Sequence, residues 1–114
     1  MKKLLEERLL MRMTWSNMKQ DVESIIFGAE MGEPLEIDLH EASDVYEGVR
    51  ALDQFIDQAF VRGEEVVKVI HGRGTGRMRD GIHEALTEHE TVVFFRDSHK
   101  PEEIGGVTYA VLSQ

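Results

Sequence analysis

Two short stretches concentrate the groups able to move protons or hold an anion. The first is Ile37-Asp38-Leu39-His40, where a carboxylate and an imidazole stand two residues apart. In an extended segment that spacing projects both side chains from one face. Asp38 can then orient the His40 ring, set its tautomer or share a cation with it. The second stretch is His71-Gly72-Arg73-Gly74-Thr75-Gly76, followed by Arg77 and Arg79. Alternate glycines permit positive φ and close approach to a ligand. Consecutive amide N–H groups form a concave nest for an anion, and arginines suit phosphate oxygens. A phosphate cradle beside an acid–base pair is the equipment for phosphodiester cleavage. The loop lacks the Gly-Lys-Ser/Thr ending of a P-loop and the G-x-G-x-x-G spacing of a dinucleotide fold, which disfavours a nucleotide cofactor. Singly, each stretch has a plainer reading: a strand-to-helix turn, a solvated strand face, a hydrogen-bonded histidine.

The elements that must position these groups follow from hydrophobic periodicity. Leu35–His40 alternates strictly and reads as a short strand. Val45, Val49, Leu52, Ile56 and Ala59 recur at helical spacing, with Ser43 as the expected N-cap and Gly63 as the stop. Val66–Ile70 is nearly all β-branched, as in a strand covered on both faces. After the glycine loop, Met78, Ile82, Ala85 and Leu86 mark a second amphipathic helix. Thr91–Arg96 and Val107–Leu112 read as the third and fourth strands. Strands separated by helices are expected to pair in parallel, while the last, joined by a loop, can run either way. Ligands in such sheets collect beyond the carboxyl ends of the strands, where His40 and His71 would stand side by side.

Ahead of this unit, residues 1–27 carry an apolar stripe (Leu4, Met11, Trp15, Met18, Val22, Ile25) at helical spacing, and 28–34 read as a turn-rich linker. The expected division is thus 1–34, an amphipathic helix and linker, and 35–114, the functional domain. The stripe is expected to dock on its own domain or to serve self-association or a partner protein. His83, His89 and His99 are assigned surface or packing roles. The acidic run from Glu33 to Glu47 is read as a solvated face, because its spacing matches no calcium loop.

At 114 residues the chain fits one domain. It contains no cysteine, which excludes disulfides and thiolate metal sites. No apolar run is long enough for a membrane span, and Glu6, Glu7, Arg8 and Arg12 interrupt the signal-peptide-like start, so the expectation is a soluble cytoplasmic protein with no membrane partner. The net charge of −9 argues against a general polyanion binder. The charge is uneven, however: residues 20–48 carry nine acids and no base, whereas 71–83 carry Arg73, Arg77 and Arg79 against Asp80 alone. Phosphate, if bound, belongs at that loop or at the basic N-terminus.

With these residues in view, Leu35–Leu112 resembles the Smr domain, the small MutS-related domain found alone in bacteria and at the C-terminus of MutS2 proteins. Ile37-Asp38-Leu39-His40 is similar to its first motif, and His71-Gly72-Arg73-Gly74-Thr75-Gly76-Arg77-Met78-Arg79 to its second. Gly106-Val107-Thr108 is similar to the usual entry to its last strand. The resemblance implies an α/β (α+β two-layer) fold: a βαβαββ mixed four-stranded sheet with two packed helices, like the C-terminal domain of bacterial translation initiation factor three. Here an N-terminal helical extension is added. It also implies endonuclease or nicking activity on RNA or DNA, with Asp38, His40 and His71 as catalytic residues. Gly72, Arg73, Gly74, Thr75, Gly76, Arg77 and Arg79 would bind phosphate. No cofactor is required on this reading, although Asp38 and His40 offer two ligands to Mg²⁺ or Mn²⁺. Glu41 stands where the family usually has glycine, which puts a charge beside the expected pocket. The alternative reading is a non-catalytic nucleic-acid or ribosome-binding module whose N-terminal helix recruits a partner.

Overall fold

A computed structural model describes residues 21–113. Leu4, Met11, Trp15 and Met18 of the N-terminal stripe lie outside these residues. The element order is α1 (residues 21–31), β1 (Leu35–Asp38), α2 (Val45–Val61), β2 (Val66–Ile70), α3 (Arg77–Glu88), β3 (Val92–Asp97) and β4 (Val107–Leu112). α1 runs through Gly28 to residue 31, so the linker is shorter than its glycines suggested. Gly28 has open space around it, and a helix tolerates glycine at about 1 kcal/mol when packing on its other side compensates. α2 is capped by Asp44, not by Ser43: the Asp44 carboxylate accepts the Glu47 amide at 2.8 Å. α2 stops as expected, with Gly63 at φ 79° donating its N–H to the Phe60 carbonyl.

The four strands form one mixed sheet in the order β1-β2-β4-β3. β1 and β2 are parallel; β4 is antiparallel to both β2 and β3. β2 and β3, although joined by a helix, do not pair, because β4 lies between them. Every β4 side chain is buried, whereas β3 leaves Val93 half exposed, so β4 gains more from the centre and β3 from the edge.

Alternation along β2 and β4 divides the core between two faces. On one face Val67, Val69, Ala110 and Leu112 pack with Leu52 and Ile56 of α2 and Ile82 and Leu86 of α3. On the other, Val66, Tyr109 and Val111 meet Val22, Ile25, Ile26 and Ala29 of α1. The N-terminal helix therefore adds a third layer to the expected two. For residues 21–27 the stripe covers the protein's own sheet, and in that segment it is not available for self-association or partner recruitment through the same side chains.

α1 is also joined to the β3–β4 connection by buried polar groups. Glu30, only 5% exposed, accepts from Arg96 Nη2 and from the His99 amide, each at 2.8 Å, and lies 3.2 Å from the Ser98 hydroxyl, whose single hydrogen is closer to Glu103 at 2.8 Å. Arg96 Nε donates to Glu23 at 2.7 Å. Behind them Glu103 accepts from Lys68, Ser98 and Tyr109. Every buried side-chain polar atom among the described residues has a partner, as burial of polar groups requires.

Candidate functional site

The parallel pairing of β1 with β2 places Asp38 opposite Ile70, and the Leu39 amide donates to the Ile70 carbonyl. The residues following each strand, His40 and His71, therefore leave the sheet at the same edge. Together with the whole glycine loop and Asp44, Val45 and Met78 they line a cleft of about 350 Å³. His40, His71, Gly72, Arg73, Gly74, Thr75, Gly76, Arg77 and Arg79 all reach this cleft. Asp38 stands behind it, against His40.

Gly72, Gly74 and Gly76 have φ of 80°, 33° and 90°, the left-handed region that L side chains rarely adopt. A Cβ on Gly72 would also come within 3.0 Å of His40 Cβ, so this glycine is what allows the two strand ends to approach. Gly76 starts α3 without any side-chain cap, leaving the helix N-terminus directed at the loop.

Asp38 Oδ1 accepts both the His40 amide at 3.1 Å and His40 Nδ1–H at 2.5 Å. The hydrogen bond and charge of Asp38 raise the His40 pKa, and the same contacts hold the Asp38 carboxyl below the usual carboxylate range. Nδ1 is thus occupied, and Nε2 is the ring nitrogen left for chemistry. Glu41 Oε1 stands 3.5 Å from Nε2, but its side chain is 88% exposed and does not line the cleft.

His71 is placed very differently. It is 3% exposed, and both ring nitrogens are engaged: Nδ1 with the Gly72 carbonyl at 3.0 Å, Nε2 with the Thr108 hydroxyl at 2.9 Å. Burial lowers its pKa, outweighing the help of Gly72 and Asp97. Of the two imidazoles expected side by side, His40 is thus an exposed ring and His71 a ring built into the wall.

The arginines separate likewise. Arg73 donates Nε to the Ile104 carbonyl at 3.0 Å and Nη2 to the Glu102 carbonyl at 2.8 Å, stapling the glycine loop to the β3–β4 connection. Arg79 is held by Asp97 at 2.5 Å. Of these three loop arginines, Arg77 alone is exposed with no hydrogen bond or ion pair to its guanidinium among the described residues.

Sequence reasoning passed over three residues of this wall. Thr108 Oγ1 touches His71 Nε2, His83 Nε2 and Asp97 Oδ1 at 2.9, 2.8 and 3.2 Å. The signal for His83 was its spacing: it follows Arg79 by one helical turn and must share its face. Asp97 has no such local signal and Thr108 was named only within the Gly106-Val107-Thr108 resemblance; the β3–β4 register sets the two opposite each other.

His71, His83 and Asp97 present ligand atoms within 4.8 Å of one another. The geometry fits hydrogen bonding better than coordination. The Thr108 hydroxyl stands among all three, and Arg79 already neutralises Asp97. Asp38 and His40 supply two donors already bonded to each other. A larger cavity of about 490 Å³ between α2 and α3 is lined by Asp53, Asp57, Glu88 and Glu90 and would repel phosphate.

No helix among the described residues is long and apolar enough to cross a membrane. The chain is 46% identical over 69 residues to Endonuclease MutS2 of Aquifex aeolicus, and 42% identical over 69 residues to Endonuclease MutS2 of Brevibacillus brevis. Each match takes in 60% of this chain but 9% of the relative, so the chain spans about a tenth of those proteins. The structure superposes on the Smr domain of Thermus thermophilus MutS2 with a TM-score of 0.66 at 34% identity, covering 70% of this chain and 99% of that one. It shares its fold with YdaL, a stand-alone small MutS-related protein of Escherichia coli, at a TM-score of 0.63 and 23% identity, over 73% of this chain and 67% of that one. The Smr domain family model matches residues 37–113, the sheet with α2, α3 and the glycine loop, and the chain belongs to the Smr domain family.

Proposed function

We propose that this protein is a nucleic-acid endonuclease that cleaves phosphodiester bonds of RNA or DNA at the cleft between His40 and the glycine loop. The observation that carries this reading is an exposed Asp38–His40 pair at the rim of a cleft whose wall is a positive-φ glycine loop opening into a helix N-terminus. The amides of residues 73–76 and the Arg77 guanidinium hold the phosphate and stabilise the charge that develops on its oxygens, the Gly72 amide being given to the Gly106 carbonyl. His40, kept protonated by Asp38 to higher pH than an ordinary imidazole, gives a proton from Nε2 to the leaving oxygen. The attacking oxygen belongs to water, or in RNA to the neighbouring 2′-hydroxyl, and its proton passes to solvent. His71 is the loop's internal support, not a second proton-transfer group. No resident cofactor takes part in this scheme. The names of the MutS2 relatives support the activity class, and the match to their Smr region supports its location.

The test is incubation of labelled single-stranded and hairpin RNA and DNA with the wild type and with His40→Ala, with and without Mg²⁺ or Mn²⁺. Cleavage that disappears in the variant supports the enzyme. Binding without cleavage supports the alternative, a nucleic-acid-binding module, for which the 88% exposed Glu41 beside His40 is the favouring observation.

Two further results are expected from this scheme. In Asp38→Asn the limb of the pH–rate profile set by His40 should move to lower pH, because its pKa returns toward the ordinary value of about 6.5. A limb that stays in place would separate His40 from the chemistry. Arg77→Ala should weaken binding to all sequences alike and reduce the slope of log affinity against log salt by about 0.7–0.9. Arg73→Ala should change that slope much less, since its donors face protein carbonyls. An Arg77→Ala slope equal to that of the wild type would show that Arg77 makes no phosphate contact.

A further inference from the structure

The direction of the glycine loop depends on the Gly72 carbonyl, which His71 Nδ1 holds at 3.0 Å. A carbonyl can only accept, so Nδ1 carries a hydrogen. A neutral imidazole has one ring hydrogen, which leaves Nε2 as a bare lone pair in need of a donor. Thr108 is fully buried, and its hydroxyl is 2.9 Å away. A hydroxyl has one hydrogen and two acceptor sites. Once that hydrogen goes to His71, the oxygen can only accept from His83 Nε2–H at 2.8 Å. The same His83 hydrogen faces Asp97 Oδ1 at 3.1 Å, and the other Asp97 oxygen is held by Arg79 at 2.5 Å. The hydroxyl also reaches Asp97 Oδ1 at 3.2 Å, the longest contact around Thr108, so Asp97 competes for its single hydrogen less well than His71 Nε2 at 2.9 Å.

We propose that Thr108 is a positioning residue of the phosphate loop: it donates its single hydrogen to His71 Nε2, fixing the Nδ1–H tautomer that grips the Gly72 carbonyl. His83, Asp97 and Arg79 form the chain of donors that sets the hydroxyl's direction. Burial lowers the pKa of both His71 and His83, in keeping with two neutral rings. The tautomer stands on hydrogen-bond accounting alone. Its consequence for ligands rests on the phosphate-loop reading above.

The test combines two measurements on the full chain. Two-bond ¹H–¹⁵N correlation spectra at pH 7.5 should show His71 protonated at Nδ1 only and His83 at Nε2. Thr108→Val, which keeps the shape but removes the donor, should shift the His71 Nε2 resonance. It should also weaken binding of a short single-stranded oligonucleotide about tenfold, the scale of leaving one buried polar group unpaired. Thr108→Ser should restore both. If Thr108→Val does not fold, the wild-type spectrum with Thr108→Ser decides the tautomer, and His83→Gln decides the coupling to the loop. An Nε2–H tautomer or an imidazolium at His71 overturns the proposal. So does a Thr108→Val protein with wild-type spectrum and affinity. Stoichiometric Zn²⁺ that moves the His71 and His83 resonances together also overturns it, by replacing the donor chain with a metal centre. The expected tautomer with no oligonucleotide binding in the wild type would overturn the loop's role as a phosphate site and leave the proton assignment standing.

Discussion

His40→Ala should lower the cleavage rate by about 10²–10⁴-fold, the usual worth of a positioned proton-transfer group. The loss should fall on kcat, because the loop amides and Arg77 that hold the phosphate are untouched. The fold should be unaffected for a specific reason. The His40 side chain is half exposed, its bond partner Asp38 is half exposed too, and the Cβ against which Gly72 lies is retained by alanine. Single-turnover cleavage and an unfolding curve on the same preparation check both halves. Unchanged cleavage would mean that the activity comes from another residue or another protein. A kcat loss accompanied by an equal loss of affinity would mean that His40 binds phosphate instead of moving a proton.

The second large effect concerns the side of the sheet away from the cleft. Glu30→Ala removes the hydrogen bonds from Arg96 and the His99 amide and leaves the 12% exposed Arg96 side chain with Glu23 as its remaining carboxylate. Breaking a buried ion pair from one side costs about 3–5 kcal/mol, a large part of a small domain's stability. The melting temperature should therefore fall by well over ten degrees, at about 4–8 °C per kcal/mol. Burial pushes the Glu30 pKa up, but Arg96 and the His99 amide outweigh it and the net direction is down. A carboxyl whose folded pKa is depressed stabilises above its unfolded pKa, and that stability is lost as pH falls through the folded pKa. The wild type should thus lose stability below about pH 4.5, and Glu30→Ala should lose less over the same range. Thermal melts across pH decide this. A variant as stable as the wild type at pH 7 would show that the Glu30 contacts add nothing net to the stability of the domain. The point has functional weight. Glu30 holds the His99 amide at the start of the connection whose Glu102 and Ile104 carbonyls hold Arg73.

How much of the site could be read from sequence varied with the range of the contacts involved. Asp38 and His40 were legible because the period of a strand puts them on one face, and Asp38 now accepts the His40 Nδ1–H. The glycine loop was legible because only glycine accepts the φ values found at Gly72, Gly74 and Gly76. His71 was found, but not its burial, because no local pattern shows that β4 will insert beside β2 and bring Thr108 against the ring. Arg73 and Arg79 were read as phosphate contacts because their partners, the carbonyls of Glu102 and Ile104 and the carboxylate of Asp97, lie far away in the chain. For α1 the apolar stripe was legible and docking on its own domain was among the expected outcomes; which face of the sheet it covers was set only when Val66, Tyr109 and Val111 came together.

The sequence by itself determined the local things: the run of strands and helices, the acid–base pair, and a loop that only glycines can form. These depend on backbone sterics and side-chain period, which act within a few residues. The tertiary structure alone decided which imidazole faces solvent, which arginine is unpaired, and that β4 rather than β3 lies beside β2. Those outcomes depend on burial and on hydrogen-bond partners from distant segments, and neither exists until the sheet has closed over its core.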